Sequence, residues 1–221
     1  AYIDALNDAT RAVETAEAQR TQSYIDAAQI KVDKLPQDAN RAALQARLDA
    51  IKLELKQEQD NYLALKERIQ AIHDGVNDGT ITVDQFPEKR VELENIRLDV
   101  NKLKDANKRT ELNNLIDLVL RLMVEQAELV ASQVNAEELV ELAEQTILLI
   151  DINNADVAVK ALPDSDKKQE LTERLNVVKE LYQKYKAAEE AVQAAESNPS
   201  ATTVANAQPK IDVLPEGERK Q

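Results

Sequence analysis

The stretch ADVAVKALPDSDKKQELTERLNVV, residues 155–178, decides the fold, because AQIKVDKLPQDANRAALQARLDAI, residues 28–51, is a near copy of it. The two align without a gap on the pairs Leu162-Pro163 and Leu35-Pro36. Counted from each leucine, which we call the hinge leucine, both carry Ala at −7, Val at −3, Leu at +9, Arg at +12 and Leu at +13. Self-similarity at such a period is typical of repeat proteins, in which each repeat is one small unit of secondary structure.

Two weaker copies complete the pattern. One centres on Leu103, which is followed by Lys104 instead of Pro, and the other reaches Leu214-Pro215 close to the end of the chain. Residues 9–36 also align without gaps on the segment that ends at this last pair. We therefore expect the chain to begin and end inside repeats of a longer array. The predicted structural hinge residues are Leu35, Pro36, Leu103, Leu162, Pro163, Leu214 and Pro215.

Each hinge predicts the end of one helix and the start of the next. Apolar residues at −10, −7, −3 and 0 form one helical face, and Pro at +1 disfavours helix for the residue before it. Acidic residues in the following turn complement the positive helix N-terminus, and a basic residue follows at +6. The acids are Asp38, Asp105, Asp164, Asp166, Glu216 and Glu218, and the bases are Arg41, Arg109, Lys168 and Lys220. Short connections of this kind make neighbouring helices antiparallel.

The composition predicts an all-α fold. Strong helix formers dominate, aromatic residues make up 3% and there are 3 Gly in the chain. From Leu44 to Ile72 apolar residues recur in an alternating 4-3 series that only Glu58 interrupts, which indicates one continuous helix. We predict an elongated array of antiparallel three-helix-bundle repeats that share long continuous helices, behaving as a monomeric rod. The expected helices are 2–34, 38–73, 86–103, 106–133, 136–161, 165–197 and 200–213.

The positions of the hinges give the predicted domain organisation. The predicted segments are 1–23 as the end of a preceding repeat, 24–91 as repeat 1, 92–150 as a degenerate repeat 2 without the hinge Pro, 151–202 as repeat 3, and 203–221 as the truncated start of repeat 4. In such arrays each repeat contacts only its neighbours, so the hinges and apolar seams set length and stiffness.

Composition and charge exclude several classes of function. The chain has 41 Asp+Glu against 28 Lys+Arg, a net charge of -13, which argues against a nucleic-acid partner. The absence of Cys excludes disulfides and zinc-thiolate sites, and the single imidazole, His73, is better explained by capping of a helix C-terminus. No stretch approaches the roughly 18 apolar residues of a membrane span. We expect no enzyme activity, no cofactor and no membrane span.

Residues 73–86 raise the question of calcium. If Asp74 is the first position of an EF-hand loop, Asp78 and Gly79 take the fifth and sixth positions, while the third and twelfth ligands fail. The candidate ligands for weak Ca²⁺ binding are Asp74, Asp78 and Asp84. In the alternative interpretation Gly75 and Gly79 end one helix, and Thr82 with Gln85 forms a capping box for the next.

One aromatic and basic cluster is a candidate ligand-binding surface. Its members are Tyr182, Tyr185, Lys179, Lys184 and Lys186. Tyrosines flanked by lysines can stack on sugar rings and pair with anionic polymers. However, both tyrosines continue the apolar seam of Leu171, Leu175 and Val178, so packing in the core is the competing explanation.

The hinge motif, A-x3-V-x2-LP followed by K/R and then L-x2-R-L-x2-I/V, resembles helical repeats of Gram-positive cell-surface proteins. In particular it is similar to the helical wall-associated region of Bacillaceae S-layer proteins. The resemblance covers most of the chain and implies triple-helical bundles, joined by contiguous helices, that attach the lattice to a secondary cell-wall polymer. It also implies an extracellular location at the bacterial cell surface or cell wall. The family's binding residues are basic and aromatic, which here only Tyr182, Tyr185 and the nearby lysines could match.

Three functions follow as hypotheses. The first is a non-catalytic structural segment of a bacterial surface protein, an S-layer or cell-wall-associated stalk or attachment module, with a cell-wall polymer or a neighbouring surface protein as partner. The second is a helical binding module for a host protein or a cell-wall glycan, which an exposed apolar or aromatic patch would favour. The third is a cytoplasmic coiled-coil scaffold that self-associates through its seams.

Overall fold

A computed structural model describes residues 1–217, and within them all regular structure is helical, with no strand. The all-α prediction is therefore confirmed. The helices are α1 (Tyr2–Gln19), α2 (Gln22–Asp33), α3 (Ala39–Asn77), α4 (Phe86–Val100), α5 (Ala106–Thr146), α6 (Leu149–Ala161), α7 (Asp166–Ser197) and α8 (Ala201–Asp212). A short 3-10 turn, Val83–Gln85, precedes α4. The acidic and basic residues expected after the last hinge, Glu218 and Lys220, lie outside the described residues.

The chain divides into two compact units. The first is Ala1–Met123 and the second begins at Val124, so the division falls within α5. In the first unit α1, α2 and α3 all contact one another, and α3 also contacts α4. In the second unit α7 contacts both α6 and α8.

One apolar core in the first unit draws its side chains from three successive helices and the hinge that joins the last two. The buried members are Ala9, Val13, Ala16, Ile25, Ala28, Val32, Leu35, Leu44, Leu48 and Ile51. The spacing of three or four residues within each helix places these side chains on one face, as an amphipathic helix requires. Burial of these apolar side chains is the main favourable contribution to the stability of this part of the chain.

The second unit contains the same core at the same positions relative to its hinge leucine. Its buried members are Ala136, Val140, Ala143, Ile152, Ala155, Val159, Leu162, Leu171, Leu175 and Val178. Every residue type agrees with its counterpart in the first unit except Val178, which replaces Ile51. The sequence similarity around Leu35 and Leu162 thus corresponds to two equivalent cores, and each extends upstream into the preceding helix.

The burial pattern continues through the rest of the first unit. The further buried hydrophobic residues on α3, α4, the hinge and the first half of α5 are Tyr62, Leu65, Ile69, Ile72, Val76, Phe86, Leu93, Ile96, Val100, Leu103, Leu112, Ile116, Val119 and Met123. Glu58, the exception in the seam of α3, accepts a hydrogen bond from the backbone N of Asp105 at 2.7 Å. The carboxylate of Glu58 thus binds a backbone donor at the start of α5, which explains why the apolar series is interrupted at this one position.

Two helix breaks differ from the predicted helices. The predicted helix 2–34 is two helices, separated at Arg20 and Thr21, and the predicted break between 133 and 136 does not exist because α5 continues to Thr146. The actual break lies at Ile147, which like Arg20 adopts a left-handed backbone, with φ of 52° and 49°. L-residues rarely adopt this conformation without being held there, so the core packing on either side imposes both breaks.

The region around Gly75 also differs from prediction. Helix α3 was expected to end at His73, yet it continues through Gly75 to Asn77. A Cβ atom at Gly75 would lie 2.6 Å from Cδ1 of Ile81, so a larger residue there would displace the Ile81 side chain. Gly79 has φ of 79°, a left-handed backbone conformation that glycine adopts without steric cost, in the turn that follows the helix.

Truncation of a core leucine should destabilise the first unit far more than truncation of a surface leucine on the same helix. Leu48 is fully buried, whereas Leu53 is 57% exposed. We expect Leu48→Ala to lower the free energy of unfolding by about 2–5 kcal/mol and Leu53→Ala by less than about 0.5 kcal/mol. Urea unfolding followed by circular dichroism measures both; equal losses would contradict the assigned core.

Candidate functional site

At two hinges, those of Leu35 and Leu103, an arginine holds the carbonyl groups, whereas at the hinge of Leu162 the residue at +6, Lys168, binds the Asp164 carboxylate instead. In repeat 1, Arg41 at +6 donates from Nη1 to the carbonyl oxygen of Leu35 at 2.9 Å and to that of Asp33 at 3.1 Å. In repeat 2, Arg109 at the same offset donates to the carbonyl oxygen of Leu103 at 2.6 Å. The contact thus persists where Lys104 replaces the hinge Pro. A guanidinium satisfies the carbonyl groups that a helix end leaves without partners.

The helices that follow the hinges start on capped N-termini. Asp38 accepts from the backbone N of Arg41 at 2.9 Å, and Ser165 accepts from that of Lys168 at 3.2 Å. Asp105 accepts from the backbone N of Asn107 at 2.8 Å. Asp38 also accepts a hydrogen bond from the hydroxyl of Tyr2, and this bond first and the one from the backbone of Arg41 second hold the pKa of the Asp38 carboxyl below its usual range. The predicted acidic residues after the hinge therefore include true N-caps.

A bidentate ion pair clamps the first helix of each core to the third. Arg47 donates from Nε and Nη2 to the two carboxylate oxygens of Glu17 at 2.8 and 2.6 Å. Arg174 makes the same contacts with Glu144 at 2.9 and 2.8 Å. Each arginine lies at +12 and each glutamate at −18 from its hinge leucine. The hydrogen bonds from these arginines lower the pKa of both glutamates, and fork-to-fork geometry fixes orientation as well as distance.

The residue with a left-handed backbone conformation before each short helix makes a different kind of contact in the two units. Arg20, at −15, donates to Glu54, at +19, with Nη1 to Oε2 at 2.6 Å. At the equivalent positions of the second unit, Ile147 and Leu181 pack in the same apolar cluster with Tyr185. The two positions that form an ion pair in one unit thus both pack against one apolar cluster in the other.

The three candidate calcium ligands each accept hydrogen bonds from nearby side chains. Asp74 accepts from Gln70 at 2.8 Å and lies 2.9 Å from Nδ1 of His73, and Asp78 accepts from the backbone and hydroxyl of Thr80. These contacts lower the pKa of Asp74, with His73 the larger cause, and the pKa of Asp78. Asp84 accepts from Thr82 at 2.5 Å. Within residues 1–217 no group of three or more His, Asp or Glu side chains is arranged to hold a metal ion.

The capping-box part of the alternative interpretation fits the geometry, whereas α3 does not end at Gly75 but continues to Asn77. Thr82 and Gln85 form the capping box in front of α4, with the backbone N of Thr82 donating to the Gln85 side chain at 3.0 Å. The two oxygen-bearing side chains satisfy backbone donors that the start of a helix leaves free.

The aromatic and basic cluster is mostly engaged in packing and ion pairs. Tyr185 is 8% exposed, and Tyr182 is half-buried against the core around Leu162. Lys179 forms an ion pair with Asp156, and Lys186 lies 3.9 Å from Glu190. Lys184 is exposed. The two tyrosine rings thus contribute to cores on α7, which favours packing as their role.

Comparisons with protein-family models, with curated proteins and with solved structures gave no match. Among residues 1–217, none of the helices has the length and apolarity that crossing a bilayer demands.

Sequence reasoning missed the ion-pair clamp and the left-handed breaks, although both had a signal. Glu17 matches Glu196 in the gapless alignment of residues 9–36, and Arg47 and Arg174 share the offset +12, which together are the signal for the ion pair. Similarly, Ser200 is at −14 from Leu214, and the gapless alignment projects this break onto Thr21, where α1 and α2 separate.

Loss of the hinge arginine should weaken repeat 1 more than loss of an exposed arginine. Arg41→Met leaves the carbonyl groups of Leu35 and Asp33 without their donor, which we expect to cost about 1–2 kcal/mol. Arg11→Met is the control, because the Arg11 side chain is 74% exposed and its ion pair with Asp8 is long, at 3.5 Å. Thermal unfolding of both variants checks this; an Arg41→Met variant as stable as Arg11→Met would refute the role of the contact.

The clamp in the second unit should make stability fall in acid. Arg174 lowers the pKa of Glu144 in the folded state. The contribution of this ion pair to stability is therefore fully present above the unfolded-state pKa of about 4.3, and it is lost as pH falls through the lower folded-state pKa. Glu144→Gln should therefore cost at most about 1 kcal/mol at pH 7, and the difference should shrink below about pH 4.3. Glu138→Gln, on the same helix and exposed, is the control. Urea unfolding at several pH values measures this, and a difference that stays constant to pH 3 would count against the clamp.

Proposed function

We propose that the chain is a non-catalytic structural segment, built from antiparallel three-helix-bundle repeats that share long helices, and that it serves as a stalk or spacer in a bacterial surface protein. The observation that carries the proposal is the pair of equivalent cores around Leu35 and Leu162, with matching residues at matching offsets. Repetition of one core is what a spacer requires, because length is then added by adding units.

The hinge contacts support a mechanical role. Within each core the hinge between the last two helices carries a carbonyl-holding arginine or a capped N-terminus, and a bidentate ion pair holds the first helix to the third. Such contacts resist rotation of one helix against another, which apolar packing alone resists less well because it has no direction.

The location at the cell surface rests on the resemblance of the hinge motif to Gram-positive surface repeats. A net charge of -13 agrees with a highly solvated stalk, since charge far from zero discourages association between copies. The resemblance names a cell-wall polymer as the partner of the family, and for this chain that partner is part of the proposal.

Small-angle X-ray scattering tests the spacer role. A compact chain of this length would have a radius of gyration of roughly 17 Å, and we expect a value well above it that does not change with concentration. A compact value would refute the array of shared helices, and a value that grows with concentration would indicate the self-associating scaffold instead.

Co-sedimentation with purified Gram-positive wall sacculi, before and after extraction of their secondary polymers, tests the surface role separately. Binding that is lost on extraction would support a wall-attachment module, and Lys184→Gln should then weaken it, because that side chain is the exposed base of the cluster. The control is Lys56→Gln, whose side chain is 77% exposed on α3. Absence of binding to either preparation would contradict wall attachment by this segment and leave the spacer role to be judged by scattering.

A further inference from the structure

The hinge at Leu103 differs from the other hinges in its local sequence. The other three hinge leucines are each followed by Pro, whereas Leu103 is followed by Lys104. Proline inside a helix removes a backbone hydrogen bond and clashes with the carbonyl four residues earlier, so the other hinges oppose a helix that runs straight through them. Lysine is a good helix former, and residues 101–105 contain neither Gly nor Pro. At this hinge the local sequence therefore does not require a bend.

Side-chain contacts hold the bend at Leu103 instead. The leucine itself is 6% exposed. Arg109 donates to the carbonyl oxygens of Leu103 and Lys104 at 2.6 and 2.7 Å, and Glu58 accepts from the backbone N of Asp105 at 2.7 Å. A continuous helix would satisfy the same backbone groups by its own hydrogen bonds, so this hinge has two ways to pair them.

Elsewhere the chain connects successive groups of buried residues by helices that do not bend. Helix α3 has 39 residues and supplies Leu48 to the core around Leu35 and Ile69 to the segment that follows, residues 62–123, which we call the middle segment. Helix α5 has 41 residues and carries buried side chains of both units. A helix over residues 86–146, in which α4 and α5 are joined, would be a third connection of the same kind.

In a single copy the apolar face of α4 keeps the hinge bent. Phe86, Leu93, Ile96 and Val100 are at most 5% exposed, and α4 contacts α3. A straight hinge would carry α4 away from the rest of the middle segment and expose these four side chains. Their burial outweighs the few backbone hydrogen bonds that a straight helix gains. The straight form therefore needs a second set of helices that buries the same side chains.

The other repeats of the chain do not offer this set. Ile96 lies at −7, where the other hinges have Ala, and Leu115 lies at +12, where the hinges of Leu35 and Leu162 have Arg. Ile96 is fully buried, and an extra branched side chain in a core that is shaped for alanine is overpacked. The partner that matches every position of the middle segment is the same segment of a second copy.

The contact between α4 and α5 also contains unsatisfied polar atoms, which lower the cost of separating the two helices. Among residues 1–217, the side-chain atoms that are buried without a hydrogen bond are Nε of Arg97, on α4, and Oδ1 of Asn113, on α5. The polar contacts that do join these helices are few: Arg97 donates from Nη2 to Asp117 at 2.6 Å, and Asn113 donates to Asn101 at 3.2 Å. Buried polar atoms without partners reduce the advantage of the closed arrangement.

We propose that the hinge at Leu103 is a site of reciprocal exchange between two copies of this chain. In the exchanged pair, residues 86–146 of each copy form one helix, and residues 106–123 of each copy pack on α3 and α4 of the other. Every core contact of the middle segment recurs between the copies, and only the contacts at the hinge change. The cores around Leu35 and Leu162 stay closed throughout. The exchange goes beyond the spacer role and does not depend on it.

A charge-swap experiment tests the exchange, because the Arg97–Asp117 pair joins the two helices that part company. Arg97→Asp in one chain and Asp117→Arg in another each place like charges at this contact. In an exchanged heterodimer α4 of each copy meets α5 of the other, so both contacts regain opposite charges. The two chains, each of residues 1–221, are refolded together from urea at high protein concentration, and native mass spectrometry counts the dimers, since the variants differ in mass.

We expect the heterodimer to exceed each homodimer by at least about fivefold, beyond the roughly twofold excess that random pairing gives. Pairing in the random ratio would show that the copies associate without exchanging α4, and would overturn the proposal. Absence of dimers would overturn it as well.

Substitution at the hinge tests the role of the missing proline. Lys104→Pro should lower the dimer yield of the parent chain on refolding by at least about tenfold, because the exchanged form would have proline inside a helix. Lys104→Ala is the matched control, since it also removes the contact of Lys104 with Glu54 at 3.0 Å but favours helix. Equal yields from the two variants would overturn the role of this hinge. The charge-swap experiment involves no proline, so it decides the proposal even where Lys104→Pro does not fold.

The outcome is separable from that of the spacer role. Exchange requires the middle segment to open, so a folded monomer remains a monomer during a scattering measurement. Scattering of the monomer therefore judges the spacer, and refolding of mixed variants judges the exchange.

Discussion

Burial of the hinge leucine is the interaction on which the rest of the structure depends. Leu35 and Leu162 are 2% and 3% exposed, and each lies where a short helix ends and a long one begins. Because the leucine belongs to the same apolar cluster as both helices, it fixes the direction in which the chain leaves the hinge. Each residue of the neighbouring helices then reaches the core at a fixed offset, which explains why the two cores agree position by position.

The polar contacts add directional constraints to the packing around the hinge leucine. Arg41 satisfies the carbonyl groups at the hinge, and the pairs Arg47–Glu17 and Arg174–Glu144 set the rotation of the outer helices. None of these charges is buried, so they contribute direction more than free energy. Apolar burial supplies the stability, and the charged contacts select one register among several that would bury similar area.

The elements that could be predicted from sequence are those with a local cause. Helical class follows from composition, the hinges follow from Leu-Pro, and the seam of α3 follows from its 4-3 spacing. The breaks at Arg20 and Ile147 could not be read from local propensity, since neither residue favours a left-handed backbone. Likewise Val134 and Asn135 have no strong tendency to interrupt a helix, and α5 passes through them. In the sequence the spacing of the candidate calcium ligands resembles that of a binding loop, but in the structure Asp74 lies in the last turns of α3.

The different chemistry at Arg20 and Ile147 matters for a chain that contains the same core twice. Helices whose core residues are interchangeable could pair with the wrong partner while the chain is folding, and burial alone would scarcely penalise the error. An exchange of helices of this kind would bring Arg20 against Leu181, or Ile147 against Glu54. Either exchange removes the ion pair between Arg20 and Glu54 and the apolar packing of Ile147 and Leu181, so these positions favour the native pairing of helices.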